Sequence, residues 1–572
     1  MMRSPTQDDL PLECVYRWER ERPHRIFLTQ PSGGQVRDWT WAQAAGEARR
    51  IASYLKAQNW EPGSRIAILS KNCAWWMMAD LAIWMAGHVS VPIYPSLKAQ
   101  SVLKILEHSE SRACFLGATD EREAMYSGLP PGVLCIRFPT AVGTAGASWD
   151  DLAAGYSPIA GNPRREADDL ATILYTSGTT GTPKGVMHSF ANFRFFTWSV
   201  KDWLGLTDAE RILSYLPLAH VVERAGVEAL SLFLGCHLFF SEGLETFRSD
   251  LARARPTLFQ SVPRLLLKFQ QGVFAKIPKE KLDRLLSIPV VSHVLKKRVL
   301  HELALDTARY AVCGAAPLPT DILLWYRNLG LELGEGYGMT EILITHLSRP
   351  GSVRPGYVGC AMPGIEAKAG PDGELLVRSP MNMLGYYKDP QGTRDAFTPD
   401  GFFRTGDVVE IDADGQMRII GRLKEQFKTS KGKYVAPAPI ESKLAAHPAV
   451  EACCLVGAGL PSPFAIVLLT QEARERCTLP EGQREIEQSL LGQMAAINAQ
   501  LDPHERVAFL AFADGPWTIA NGLITPTLKV KRAALEGRYQ ALIDKWKEQE
   551  HRVVWESAPY IVAQTGAGQT VN

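Results

Sequence analysis

One ten-residue loop constrains this chain more than any other stretch: Thr176-Ser177-Gly178-Thr179-Thr180-Gly181-Thr182-Pro183-Lys184-Gly185, directly after the apolar run 171–175. Five hydroxyls, three glycines and one lysine lie in those ten residues. Glycines let backbone N–H groups approach an anion, hydroxyls donate to phosphate oxygens or ligate Mg²⁺, and the lysine adds a positive charge, a combination suited to a nucleoside triphosphate. A flexible linker does not need the Pro-Lys-Gly ending and rarely follows a buried strand. A P-loop needs glycine before its lysine and a hydroxyl after it; here Pro183 and Gly185 stand in those places.

A chain of 572 residues is long enough for several lobes. Lys+Arg 62 against Asp+Glu 61 gives a net charge of +1, so no global field recruits nucleic acid, and none is expected as a partner. The ten cysteines are scattered without a Cys-x-x-Cys pair, which argues against a zinc site or disulfide framework and for a reducing compartment. Asp8 and Asp9 stand where a signal peptide would need an apolar core, and the C-terminal residues carry no prenylation box; the expectation is a cytoplasmic protein. The apolar runs 73–87 and 225–240, interrupted by Asp80 and by Glu228 and His237, are too short to span a bilayer and read as buried helices.

Strand-like segments at 65–70, 89–94 and 113–117 alternate with helical ones at 75–85 and 98–109, which predicts a parallel sheet with crossover helices. A second round follows, with strands at 212–216, 237–241, 257–262 and 309–313 and helices at 221–234 and 246–255. From Gly356 the texture becomes short β-like pieces (374–378, 402–405, 408–411, 416–420) punctuated by Asp-Gly pairs. After Gly421 a polar, basic stretch leads to strands at 451–456 and 464–470. The fold class expected is α/β: a large N-terminal domain (1–423) of two α/β subdomains plus a β-barrel-like subdomain, then a small mobile C-terminal α+β cap (424–555) and a disordered tail (556–572).

The loop resembles the signature of the AMP-forming acyl-adenylating enzymes, and further motifs follow in that family's order over roughly residues 30 to 545. The resemblance implies that Thr176, Ser177, Gly178, Thr179, Thr180, Gly181 and Lys184 hold ATP phosphates. Cys313-Gly314-Ala315-Ala316-Pro317-Leu318 is similar to the segment walling the adenine. Gly336-Tyr337-Gly338-Met339-Thr340-Glu341 is similar to Tyr-Gly-x-Thr-Glu: Tyr337 for the adenine face, Thr340 for the α-phosphate and Glu341, with Thr176, for Mg²⁺. Asp407, in Phe403-Arg404-Thr405-Gly406-Asp407, resembles the ribose carboxylate, whereas Gly421-Arg422-Leu423-Lys424-Glu425 resembles the hinge, with Arg422 reaching the ribose and Lys424 as pivot. The family more often has Asp where Glu425 stands.

The implied chemistry has two steps. A carboxylate and ATP repel one another, so adenylation needs cations at the α-phosphate; Lys529, in a stretch resembling the C-terminal lysine motif of long-chain acyl-CoA synthetases, is the implied one. In the second step the cap turns to present Lys428 to the acyl-adenylate, with Gly432 admitting the pantetheine arm of coenzyme A; the family often has Gly-Gly where this chain has Lys431-Gly432. Tyr215 to Arg224 resembles the long-chain and very-long-chain branch, placing His220 beside the acyl carboxylate, and Ser261-Val262-Pro263-Arg264-Leu265-Leu266 resembles its gate. Residues 248–298 carry twelve Lys/Arg against three acids, interleaved with apolar side chains, which fits peripheral contact with anionic lipid or a solvated helical face. The reading is an AMP-forming long-chain fatty acid:CoA ligase using ATP, Mg²⁺ and coenzyme A. The alternatives are an acyl-AMP ligase loading a carrier protein, an ATP kinase, or a non-catalytic lipid or nucleotide sensor.

Overall fold

The computed structural model describes residues 5–120, 128–141, 143, 146–176, 183–525, 529–546 and 551–557. The fold is α/β, with a large N-terminal part and a small C-terminal α+β part.

An eight-stranded sheet organises the N-terminal third, in the order Gly385–Tyr386, Lys184–Ser189, Leu170–Thr176, Val89–Ile93, Arg65–Leu69, Ala113–Leu116, Leu134–Arg137 and Ala147–Ser148. The last six of these run parallel, as the alternation predicts. Lys184–Ser189 alone runs the other way, antiparallel to both its neighbours, because the connection from Thr176 to Lys184 is too short for the dozen-residue crossover a parallel pair needs. Helix Ala74–Met85 packs behind this sheet with every residue buried. Its one acid, Asp80, lies 2.7 Å from Arg224, which also pairs with Glu228 and donates to Ser90 Oγ at 2.7 Å. Burial pushes the Glu228 carboxyl above its ordinary range, and the Arg224 charge opposes that shift.

A five-stranded sheet follows: Leu258–Ser261, Tyr310–Cys313 and Leu333–Met339 are parallel, with Leu343–Leu347 and Cys360–Ala361 added antiparallel. A four-stranded sheet joins Arg211–Ser214, His237–Phe240, Ile26–Ser32 and Gln35–Thr40. The hairpin-rich region is a four-stranded antiparallel sheet, Glu366–Ala369, Glu374–Arg378, Phe403–Ile411 and Met417–Arg422, in which the two expected strands 402–405 and 408–411 are one.

Two expectations need correction. The helix expected over 221–234 is divided by a π-helical stretch at Arg224–Ala229. Gly226 has no side chain to exclude Gln260, whose amide donates to the Gly226 carbonyl and widens the turn. The apolar run 225–240 is helix only to Leu234; Gly235, at φ +71°, ends it, and His237–Phe240 is a strand.

Beyond the two-stranded ribbon Phe427–Lys428 and Tyr434–Val435, the strands Val450–Val456, Phe464–Leu469, Leu510–Ala513 and Val553–Trp555 form a separate sheet. Alternate residues fill two cores: Cys453, Leu455, Ala465 and Val467 face one side, Cys454, Val456, Phe464 and Ile466 the other. This lobe meets the N-terminal part through Lys98 Nζ donating to Ala520 O at 2.6 Å, Arg264 beside Glu451 at 3.3 Å and Ser442 Oγ donating to Pro317 O at 3.4 Å. Among the described residues no helix is long and apolar enough to cross a membrane.

Candidate functional site

The loop singled out by the sequence joins two antiparallel strands in which Thr176 and Lys184 are directly opposite, so both ends of the loop are fixed to neighbouring strands of the eight-stranded sheet. Ser177, Gly178, Thr179, Thr180 and Gly181 lie outside the described residues. Lys184 Nζ stands 4.6 Å from the Tyr386 ring centroid, on the strand paired with its own.

Strand Leu333–Met339 carries Gly336, Tyr337 and Gly338 and delivers Thr340 and Glu341 into the turn that follows. A Cβ at Gly338 would lie 2.1 Å from the Leu343 carbonyl oxygen, so the hairpin closes there only on glycine. Glu341 is buried, accepts from Tyr386 OH at 3.0 Å and lies within electrostatic reach of Arg422 and Lys184. Burial pushes its carboxyl up and those two cations oppose the shift. Glu341 and the Thr176 hydroxyl are oxygen donors of the kind a hard dication takes, with phosphate oxygens to complete its shell. Among the described residues no group of three His, Cys, Asp or Glu side chains forms a metal cluster by itself.

Gly314, Ala315 and Ala316 follow strand Tyr310–Cys313, the parallel neighbour of Leu333–Met339. The Gly314 backbone packs toward the Gly336 carbonyl, and Ala315 is held at φ +68°, a left-handed conformation that costs a non-glycine residue about 1–2 kcal/mol. Ala315 and Ala316 are exposed and lie outside the core.

Asp407 and Arg422 are cross-strand partners in the antiparallel sheet, and Arg422 Nε lies 2.8 Å from Asp407 Oδ1. The other carboxylate oxygen accepts from Tyr337 OH at 2.6 Å. Burial raises the Asp407 pKa, while Arg422, Tyr337 and Lys529 draw it back. Lys529 therefore reaches this cleft from the C-terminal lobe. Its side chain is exposed at the mouth of the cleft, and partial desolvation and the Arg422 charge lower its pKa, against Asp407 and Glu425.

The same lysine acts on His220, whose pKa is pushed down to about 4 by burial and by the Lys529 charge. His220 Nδ1 accepts from Val222 N at 3.2 Å at the start of a helical turn, which places the proton of the neutral ring on Nε2 as a hydrogen-bond donor. One turn on, Glu223 Oε1 accepts from Ser214 Oγ, Tyr215 N and Asn72 Nδ2, and burial raises its pKa to about 8.

The structure thus brings together Thr176, Lys184, Thr340, Glu341, Tyr337, Asp407, Arg422, Lys529 and His220. It does not bring in Lys428, Gly432 or Lys424. Lys428 is exposed on the ribbon, its Nζ 4.7 Å from the Tyr434 ring centroid; Gly432 closes the ribbon's turn at φ +73°; Lys424 is exposed in the turn before it. Sequence reasoning missed Tyr386, which holds Glu341, and the phenol of Tyr337, which holds Asp407. A tyrosine after a glycine gives no local signal of a partner 45 or 70 residues away.

An α/β body with a catalytic-type cleft closed by a lysine from a separate small lobe defines the class, and the sequence models name it. The chain belongs to the AMP-binding enzyme family, whose model matches residues 15–387, with the AMP-binding enzyme C-terminal domain matching residues 424–551. It is similar to the long-chain-fatty-acid–CoA ligase FadD15 of Mycobacterium bovis, 30% identical with 93% of this chain and 96% of that protein covered. The peroxisomal long chain acyl-CoA synthetase 6 of Arabidopsis thaliana is 30% identical over 90% of this chain and 83% of that one. Among solved structures, the adenylation domain of a carboxylate reductase from Mycobacterium chelonae superposes with a TM-score of 0.79 at 23% identity, covering 94% of this chain and 91% of that one.

Proposed function

We propose that this chain is an AMP-forming long-chain fatty acid:CoA ligase. The observation that carries the reading is the cleft in which Lys529 joins Asp407, Arg422 and His220, in a chain 30% identical over most of its length to ligases of that name. In the first step a fatty acid carboxylate oxygen attacks the α-phosphorus of ATP, pyrophosphate leaves, and an acyl-adenylate forms. Lys529 and Arg422 offset the charge building between the two anions, and the Nε2–H of His220 donates to the carboxylate. Lys184 and the hydroxyls of the loop hold phosphate oxygens. Glu341 and Thr176 would hold Mg²⁺, which would supply further charge neutralisation there. Asp407 keeps acceptor capacity for the ribose hydroxyls, and Ala315, Ala316 and Tyr337 flank the base.

In the second step the thiol of coenzyme A attacks the acyl carbonyl, the C–O bond to AMP breaks, and the thiol proton leaves. Lys529 sits in the cleft while Lys428 and Gly432 face outward, so the second step calls for the lobe 424–555 to turn about Lys424 and present the ribbon.

The acid comes from a membrane in this reading, with the protein cytoplasmic and peripheral on the inner face. Four large apolar side chains, Ile288, Val290, Val291 and Val294, are 46%, 80%, 38% and 64% exposed at the start of helix Pro289–Glu302, within the basic stretch 248–298. Apolar groups that insert, ringed by cations that attract anionic headgroups, fit such a contact. Vesicle sedimentation tests it: binding to anionic and not to neutral vesicles supports it, and equal binding to both counts against it.

A panel of acids of graded chain length, scored for pyrophosphate and AMP release with and without coenzyme A, tests the activity. CoA-dependent AMP release with long-chain acids is the expected outcome. ADP as product would refute the reading in favour of a kinase; pyrophosphate release that coenzyme A does not accelerate would redirect it to an acyl-AMP ligase serving a carrier protein.

A further inference from the structure

His188 lies four residues after Lys184 on strand Lys184–Ser189, fully buried, and none of the roles above uses it. Its Nε2 is 2.7 Å from the carbonyl oxygen of Thr340, 152 residues away in the chain. A carbonyl oxygen only accepts, so Nε2 donates. Its Nδ1 is 3.1 Å from Asn192 Oδ1. The Asn192 amide is itself oriented: Oδ1 accepts from Ser189 N at 3.0 Å, while Nδ2 donates to Pro380 O at 2.7 Å and to Asn382 O at 3.2 Å. Both ring nitrogens of His188 face oxygen, and a flipped ring would set carbon against both.

The two carbonyls on Asn192 belong to the segment that leads to Tyr386. Along it Met383 N donates to Glu341 O at 2.7 Å, Leu384 N donates to Met187 O at 2.9 Å, and Tyr386 OH donates to the Glu341 carboxylate. His188 and Asn192 therefore fasten three things to the strand that bears Lys184: the main chain of Thr340, the main chain of Glu341, and the phenol that orients the Glu341 carboxylate. Without the Thr340 link, the turn 340–341 keeps the Met339–Leu343 pairing and the Met383 bond to Glu341 O but loses its direct tie to the Lys184 strand.

We propose that His188 is a positioning residue for adenylation, fixing the Thr340–Glu341 turn against the Lys184 strand so that the phosphate-side groups keep their mutual placement. The proposal rests on the ligase reading above and deepens it. It predicts damage to one half-reaction, whereas a histidine that merely fills space would lower stability and leave the kinetics of folded enzyme alone.

The test compares the full-length wild type with His188→Leu, His188→Gln and His188→Asn. Readouts are ATP–pyrophosphate exchange resolved into KM for ATP and kcat, thioester formation from supplied acyl-adenylate and coenzyme A, and the unfolding midpoint. A glutamine amide reaches the Thr340 carbonyl and an asparagine amide falls short, so two polar variants separate the hydrogen bond from burial even if His188→Leu does not fold. The expected result is that His188→Leu and His188→Asn lose about 10- to 100-fold in exchange kcat/KM, the scale of a misplaced reacting group. His188→Gln recovers most of it, and the thioester half-reaction stays within about twofold of wild type in folded protein. Exchange unchanged in His188→Leu, equal loss of both half-reactions, or His188→Gln no better than His188→Asn would overturn it. Absence of exchange in the wild type with every acid would instead refute the ligase reading and this proposal with it.

Discussion

Replacing Lys529 by alanine separates a cleft lysine from a surface one. An exposed lysine away from any site contributes within about 0.5 kcal/mol to stability, and its removal leaves rates alone. Lys529 stands within electrostatic reach of Asp407, Arg422, Glu425 and His220, and its own pKa is depressed by crowding and by the Arg422 charge. A cation already held in that position meets the charge that develops at the α-phosphate without reorganisation, and removing one such preorganised group costs about 2.7–4 kcal/mol, or 10²- to 10³-fold in rate. Lys529→Ala is therefore expected to lower ATP–pyrophosphate exchange by about 10²- to 10³-fold, with conversion of supplied acyl-adenylate to thioester largely retained. The Lys529 charge also holds the His220 pKa down, so the variant's His220 should titrate at higher pH, which NMR of the imidazole reads directly. Exchange within about threefold of wild type would refute the assignment.

Stability should peak in a middle pH range. Burial holds His88, His220 and His237 at about 4 and His346 at about 3, so the unfolded chain binds more protons below its ordinary histidine pKa of 6.5 and stability falls as the pH drops from there toward 4. Glu223 and Glu335, raised to about 8 and about 7, act oppositely: stability present below the ordinary 4.5 is lost as the pH rises through those values. Glu223→Gln keeps Oε1 as acceptor for Ser214, Tyr215 and Asn72, so it should flatten the alkaline fall in unfolding midpoint; an unchanged slope would assign that fall elsewhere. Gly338→Ala, which pushes a Cβ to 2.1 Å from the Leu343 carbonyl oxygen, should cost about 1–3 kcal/mol in denaturant titrations and weaken nucleotide binding; wild-type values for both would contradict the packing argument. Tyr337→Phe leaves the buried Asp407 with Arg422 as its remaining partner of the two described; a stability loss of about 1–3 kcal/mol and a raised KM for ATP are expected, and neither changing would show that the phenol is idle.

The parallel sheet and its helices were legible because each strand is short, apolar and bounded by turn residues, and the helix over 74–85 because no polar face interrupts it except at Asp80. The motif residues Tyr337, Asp407 and Arg422 were legible singly. Their union was not, since it depends on a cross-strand register at Asp407 and Arg422 and on a tyrosine from a different sheet. The π-helical turn at Arg224–Ala229 escaped notice for a similar reason: the residue that opens it, Gln260, comes from a distant strand. Likewise His188 reads as one residue in an alternating strand until its partner, a carbonyl that every residue possesses, is seen to be that of Thr340. Hydrogen bonds to main chain leave no trace in side-chain pattern.

The cleft draws its groups from stretches as far apart as Thr176 and Lys529, on three sheets and two lobes. A nucleotide bound there is also a fastener, since its affinity for the assembled cleft becomes stability for everything that assembles it, about 2.7 kcal/mol at a hundredfold excess over Kd. The C-terminal lobe has its own sheet and two cores, and its contacts with the remainder include Arg264 with Glu451 and Lys98 with Ala520. In the ligase reading the exposed turn at Leu423–Lys424 is where a protease would report a turning of the lobe, as a cleavage rate that changes when nucleotide is added.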